Sequence, residues 1–316
     1  MRERHNVVLL FSKLPEVGLV KTRLTTLKDG YFEPEVASNL YRCMLLDVVE
    51  TICAALTDLE ARAAEACEDA APMGKHAKKA AKAIPDAETC EEADCAASEP
   101  DAVKDSYELV ISTAPARNLD AMRELFADKA EWPRDITFIV DEGASFDEHY
   151  NHAFQQVWDR GADAILSMGA DMPALTKADI MIGFQQLHKL DTFPRGGIVL
   201  APDQEMGVSV VGWTRATDFS HTGVFYNASG LTVLPAYIQK ARELDLPALW
   251  LPPIPDVDTM ADLFHNVTLV EALNYCAAYD DIHPPRRTAQ ALADMGFQQI
   301  YVAPNDLFDP RDELDA

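Results

Sequence analysis

Compact apolar runs alternate with stretches of helical spacing along most of the chain. Asn6–Ser12 (NVVLLFS) is a short apolar run rich in β-branched residues, followed by a loop with proline and glycine. That pattern predicts a buried parallel strand. Glu33–Ala55 carries Val36, Leu40, Met44, Leu45, Val48, Val49 and Ile52 at helical spacing, with Pro34 suited to a first turn. Further strands are predicted at Tyr107–Thr113, Ile136–Val140, Ala164–Met168, Gly197–Ala201, Val208–Trp213 and Ala248–Leu251. Further helices are predicted at Leu119–Phe126, Phe146–Asp159, Thr176–Lys189, Leu231–Leu244, Met260–Ala278 and Pro285–Met295. Strand and helix in alternation predict an α/β fold with a doubly wound, mostly parallel sheet.

One segment breaks the pattern. Thr57–Asp105 is rich in Ala, Glu, Asp, Lys and Cys and poor in large apolar residues, where a short connection is expected. It reads as a low-complexity insertion in a single domain spanning 1–304, with an acidic tail at 305–316. Its lysines Lys75, Lys78, Lys79 and Lys82 stand among acids and read as a solvated face.

Charge narrows the partners. The formal net charge is −25, which disfavours nucleic acid and anionic membranes. No apolar run is long enough to span a bilayer, and Val7–Phe11 is too short for a signal peptide. The six cysteines form no CxxC pair, as expected of free thiols in a cytoplasmic protein. A phosphate-bearing small molecule can bind only where the few cations cluster.

They cluster after the first strand. Lys13, Gly18, Lys21, Thr22 and Arg23 lie in one loop at a strand's carboxyl end, where open α/β sheets bind ligands. Lys21 and Arg23 can place charged donors on phosphate oxygens. The loop is neither a Walker A sequence nor a GxGxxG fingerprint. Asp171, in Gly169-Ala170-Asp171-Met172-Pro173, follows another strand and is placed to hold a phosphate-bridging divalent cation. Of Asp256 and Asp258, in Asp256-Val257-Asp258-Thr259, one can join it while the other supports the turn. Thr259 suits a helix N-cap, with Asp262 its capping-box partner. Asp203 and Glu205 lie between two strands, in a polar turn that can also meet an acceptor. The histidines, His149 and His152 among them, show no zinc-binding spacing, and there is no GxSxG elbow.

These motifs together resemble a known family. FSKLPEVGLVKTRL, GADMPALT, DVDTMADL and PPRRTAQAL are similar, in order and spacing, to segments of the bacterial glycosyltransferase-A-like family of selenodomain-associated transferases. That family is related to molybdopterin-cofactor nucleotidyltransferases and phospholactate guanylyltransferases. The resemblance implies a nucleotide-diphospho-sugar transferase fold, Lys21 and Arg23 on the nucleotide's phosphates, and Mg2+ (or Mn2+) on Asp171 with Asp258 as second acid. Three segments depart from it. Glu205-Met206-Gly207-Val208 stands for D-G-G-Y and Ser145-Phe146-Asp147-Glu148-His149 for D-L-G-E-R, while no Trp-Ser-Thr is found near Phe225-Tyr226-Asn227.

The expectation is a magnesium-dependent transferase with a nucleotide or nucleotide-sugar donor and an unidentified small-molecule acceptor. Asp171 would hold the metal, and Glu205 or Asp203 would act as base. Nucleotidyl transfer to a phosphorylated small molecule is the alternative, and a non-catalytic nucleotide-binding protein the second.

Overall fold

The computed structural model describes residues 2–28, 30–69, 103–127 and 132–297. Its strands are β1 (Arg2–Phe11), β2 (Val103–Thr113), β3 (Ile136–Val140), β4 (Ala164–Gly169), β5 (Ile198–Pro202), β6 (Val208–Thr214) and β7 (Ala248–Trp250). Its helices are α1 (Pro34–Asp69), α2 (Leu119–Leu125), α3 (Phe146–Asp159), α4 (Lys177–Leu190), α5 (Val233–Glu243), α6 (Met260–Cys276) and α7 (Arg286–Asp294).

The strands form a seven-stranded sheet in the order β3-β2-β1-β4-β6-β5-β7. Neighbours are parallel except at β6, which runs antiparallel to β4 and β5. The central strands are apolar on both faces because both faces are covered. Val8, Leu10, Leu109, Ile111, Leu166 and Met168 point into one core with α1, α4 and α6. Val7, Leu9, Val110, Ile165 and Val211 point into the other with α3 and α5. Parallel pairing brings the carboxyl ends of β1, β2, β3 and β4 to one edge, where the candidate loops emerge.

Several boundaries differ from expectation. β1 begins at Arg2, four residues early, because its polar half pairs with Val103–Ser106 and Arg4 holds Asp105 at 2.6 Å. Val103–Asp105, at the end of the presumed insertion, are therefore sheet residues. Its start is helical: α1 continues to Asp69, with Leu56 and Leu59 in the core and Asp58 2.8 Å from Lys177. The middle of the insertion and the acidic tail lie outside the described residues. Cys43, Cys53 and Cys276 are free thiols, and the side chains of Cys67, Cys90 and Cys95 lie outside the described residues. No described helix is long and apolar enough to cross a membrane.

Candidate functional site

The loop after β1 is held from below by α1. The Tyr41 hydroxyl accepts the Lys13 amide at 3.1 Å and lies 3.1 Å from Ser12 Oγ, while Ser38 Oγ donates to the Pro15 carbonyl. Gly18 takes φ 76 in the turn above, a conformation that favours glycine. Lys21 is left-handed as well, at φ 47 and ψ 37, and starts a single 3-10 turn, Thr22–Leu24. Buried Leu24 anchors that turn in the core, so the backbone aims Lys21 inward while Arg23 stays exposed.

The acids arrive from two other segments that one backbone bond joins: the Val257 amide donates to the Asp171 carbonyl at 3.0 Å. The carboxylates of Asp171 and Asp258 converge on the Lys21 ammonium, with Asp171 Oδ2 at 2.5 Å and Asp258 Oδ1 at 3.0 Å. Arg23 reaches the other oxygen of Asp258 at 3.2 Å. Burial alone would lower the Lys21 pKa, but the two carboxylates raise it well above the ordinary lysine range. Burial, with the Asp171 charge, pushes Tyr41 up to about 12. Asp256 rises to about 7 through burial and the charges of Asp171 and Asp258.

Asp262 fixes this acidic segment. It forms a capping box with Thr259 at the start of α6, as expected. Its Oδ2 also accepts the Asp258 amide, and its Oδ1 accepts Gln204 Nε2 at 2.7 Å. Gln204 thereby ties the β5–β6 turn to the same segment. Thr176 and Asp179 form the box that caps α4, so Asp171 does no capping there.

One cleft of about 930 Å³ is lined by Lys13, Lys21, Thr22, Arg23, Asp171, Asp203, Glu205 and Asp258. Gly18 shapes the turn without lining it. Asp203 and Glu205 behave differently from each other. Asp203 Oδ1 accepts the amides of Glu205 at 2.6 Å and Gly207 at 2.7 Å, so this carboxylate builds the turn. Glu205 is exposed at its tip.

The cleft also holds residues that sequence reading missed. Lys28 adds a cation. Beyond β3, buried Asp141 accepts Ser112 Oγ at 2.8 Å and lies 2.8 Å from His149 Nδ1. Tyr150 stacks on Phe11 with centroids 3.8 Å apart, and Phe146 and Phe225 pack around it. The departure at Asp147 has a structural role: its carboxylate accepts the amides of Gly223 and Phe225 and pins that loop to α3. A signal was available for Asp141, an acid directly after a predicted strand, but its partners Ser112 and His149 lie on other elements, β2 and α3.

The architecture has known counterparts. A protein from Desulfovibrio desulfuricans G20, described as a candidate nucleotide-diphospho-sugar transferase, superposes with a TM-score of 0.58 at 20% identity. The superposition covers 94% of this chain and 99% of that one. This chain has the nucleotide-diphospho-sugar transferase fold. Two further structures match more remotely. A CMP:2-keto-3-deoxy-manno-octonic acid synthetase complexed with CTP gives a TM-score of 0.42 at 11% identity, over 85% of this chain and 99% of that one. A Pyrobaculum calidifontis mannosyltransferase in complex with GDP-Man and Mn2+ gives 0.33 at 12% identity, over 62% and 67%. Residues 102–228 match a family described as "Uncharacterized protein conserved in bacteria (DUF2064)". The matched part of the fold carries Asp171, Asp203 and Glu205 but not the Lys13–Arg23 loop or Asp258. No curated protein matches the chain in sequence.

Proposed function

We propose that this chain is a cytoplasmic transferase that binds a nucleotide-sugar and passes its glycosyl group to a small-molecule acceptor. The observation that carries the reading is the linked set Arg23–Asp258–Lys21–Asp171, cations and carboxylates meeting at the carboxyl edge of a nucleotide-diphospho-sugar transferase fold. We take residues 1–304 as one domain. Arg23, Lys21, Lys13 and Lys28 offer the charge-assisted donors that a diphosphate requires, in a chain otherwise strongly acidic.

A divalent cation fits the acids. Asp171 and Asp258 already share one cation, the Lys21 ammonium, and Mg2+ is commonly held by one or two carboxylates with phosphates completing its shell. No group of three or more metal-binding side chains occurs among the described residues, so phosphate oxygens and water would supply the remaining ligands. When bound there, Mg2+ or Mn2+ would neutralise charge on the departing diphosphate. In glycosyl transfer, an acceptor hydroxyl attacks the anomeric carbon and the bond from that carbon to the diphosphate breaks. The diphosphate leaves with the electron pair and Arg23 stabilises it. The hydroxyl proton passes to Glu205, since Asp203 is engaged by two amides.

That engagement also favours a second reading. With one acid of the turn committed to structure, nucleotidyl transfer to a phosphate, which needs no strong base, suits the cleft as well.

Calorimetric titration with a panel of nucleotides and nucleotide-sugars, with and without magnesium, tests the binding. Arg23→Ala is expected to cost about 1.5–3 kcal/mol even without metal. Asp171→Asn is expected to spare metal-free binding and abolish the magnesium enhancement. Released nucleoside diphosphate marks glycosyl transfer and released pyrophosphate marks nucleotidyl transfer. Binding without turnover of any pair marks a non-catalytic binding protein. If Asp171→Asn lowers the melting temperature sharply and leaves magnesium dependence intact, Asp171 is a turn residue and the reading is wrong.

A further inference from the structure

Lys21 occupies an unusual place for a phosphate-binding lysine. Its side chain is only 6% exposed, and its ammonium is spent on Asp171 and Asp258. Its backbone is fixed by the left-handed turn and by the Leu24 amide, which donates to the Lys21 carbonyl at 2.9 Å. The four-carbon stem is the one mobile part. A divalent cation held by the same two carboxylates needs oxygens at about 2.0–2.1 Å, and so needs the volume that the ammonium fills. The lysine and the metal therefore exclude each other. Removing the ammonium with nothing in exchange leaves Asp171 without its cation and Asp258 with Arg23 alone, which is costly. Arg23 bridges the two regions: it holds Asp258, yet its guanidinium is 60% exposed on the cleft side.

We infer that Lys21 is a positioning residue that serves as an internal counter-ion: it occupies the metal site until a diphosphate bound at Arg23 draws it away. On this account metal and diphosphate bind as a coupled pair. Each raises the affinity for the other, and by linkage the two factors are equal. The inference rests on the metal reading above and adds to it a reason why the site is closed to metal alone. It also gives Lys21 two successive partners, the carboxylates and then a phosphate.

The test is Mn2+ binding, followed by the electron paramagnetic resonance signal of free Mn2+. The proteins are the wild type, Lys21→Met, Lys21→Gln and Asp171→Asn, each with and without inorganic pyrophosphate, and a protein-free titration corrects for Mn2+ held by pyrophosphate itself. Without pyrophosphate, both Lys21 variants are expected to bind Mn2+ at least ten-fold more tightly than the wild type, even if they melt lower. A merely structural lysine would give the opposite. Pyrophosphate is expected to raise the Mn2+ affinity of the wild type at least ten-fold, and that of the Lys21 variants by a factor at least three-fold smaller, since its oxygens complete the metal's shell in both but displace an ammonium in the wild type alone. Equal Mn2+ affinity in the wild type and the Lys21 variants, with binding lost in Asp171→Asn, overturns the counter-ion role and leaves the metal site standing. Mn2+ binding that is absent or indifferent to Asp171 under every condition overturns both. If neither Lys21 variant folds, pyrophosphate that leaves wild-type Mn2+ affinity unchanged overturns the proposal.

Discussion

Asp262→Ala should expose how much of the site depends on a helix cap. The Asp262 carboxylate is buried, at 3% exposure, and accepts four hydrogen bonds: from the amides of Asp258 and Thr259, from Thr259 Oγ1, and from Gln204 Nε2. Thr259 Oγ1 can rotate to another partner, but the two amides and the Gln204 amide cannot all do so. Loss of an N-terminal cap costs about 1 kcal/mol. Each donor left buried without a partner costs about 1–3 kcal/mol. Asp258 is partly exposed, so water will reach one of the amides, and a total of roughly 2–4 kcal/mol follows. In a protein of this size that is a fall in melting temperature of roughly 3–6 °C. Asp262→Asn keeps one acceptor oxygen and should lose about half as much. The effect has a pH signature. Burial raises the Asp262 pKa, but the hydrogen bonds from Gln204 and Thr259 outweigh it and lower the net value. The folded pKa lies below the unfolded one, so the stabilisation is complete above about pH 3.9 and is lost as the pH falls through the folded value. Circular dichroism melts from pH 7 down to pH 3 measure both effects. A melting temperature for Asp262→Ala within 1 °C (about the precision of such a melt) of the wild type at pH 7 refutes the reasoning, because the Thr259 amide bonds Asp262 alone, whereas Gln204 Nε2 keeps Asp256 as a second acceptor.

Two further outcomes are expected. A Cβ on Gly207 would stand 1.9 Å from Asp203 Oδ2, so Gly207→Ala should cost about 1–3 kcal/mol in urea unfolding, and adding Asp203→Ala should recover part of that loss. Hydrogen bonds from His5, Thr137 and Arg160 hold Glu108 at about 2, so Glu108→Gln should lower the melting temperature at pH 6, and the gap should narrow as the pH falls from about 4.5 toward 2.

Much of the scaffold was readable in the order of residues, for a physical reason. Strands buried on both faces become apolar runs, and Val7–Leu10, Leu109–Ile111 and Ile165–Leu166 announce themselves. What hydrophobicity does not encode stayed hidden. Arg2–His5 extend β1 through ion pairs and main-chain pairing, which leave no apolar trace. The reversed direction of β6 has no periodic signature. The candidate loops were legible because cations are scarce in this chain and acids after strands are conspicuous. The attachment of Lys21 to Asp171 and Asp258, 150 and 237 residues away, was not. The Asp141–His149–Ser112 group spans only 8 and 29 residues from Asp141, yet it exists only once β2, β3 and α3 are assembled.

The single backbone bond between Asp171 and Val257 has a consequence for synthesis. The loop that carries Lys21 and Arg23 leaves the ribosome early, and Asp258 follows 235 residues after Arg23. A nascent chain that has made β1 and β4 already owns the cations and one acid, yet it lacks the strap that sets the second acid beside the first. Until Val257 docks, Lys21 has one anion where the finished protein supplies two, and the pocket has no floor under its acidic corner. The paired acids are thus withheld from incomplete chains, which also lack the core side chains Leu263, Val267 and Val270 of α6.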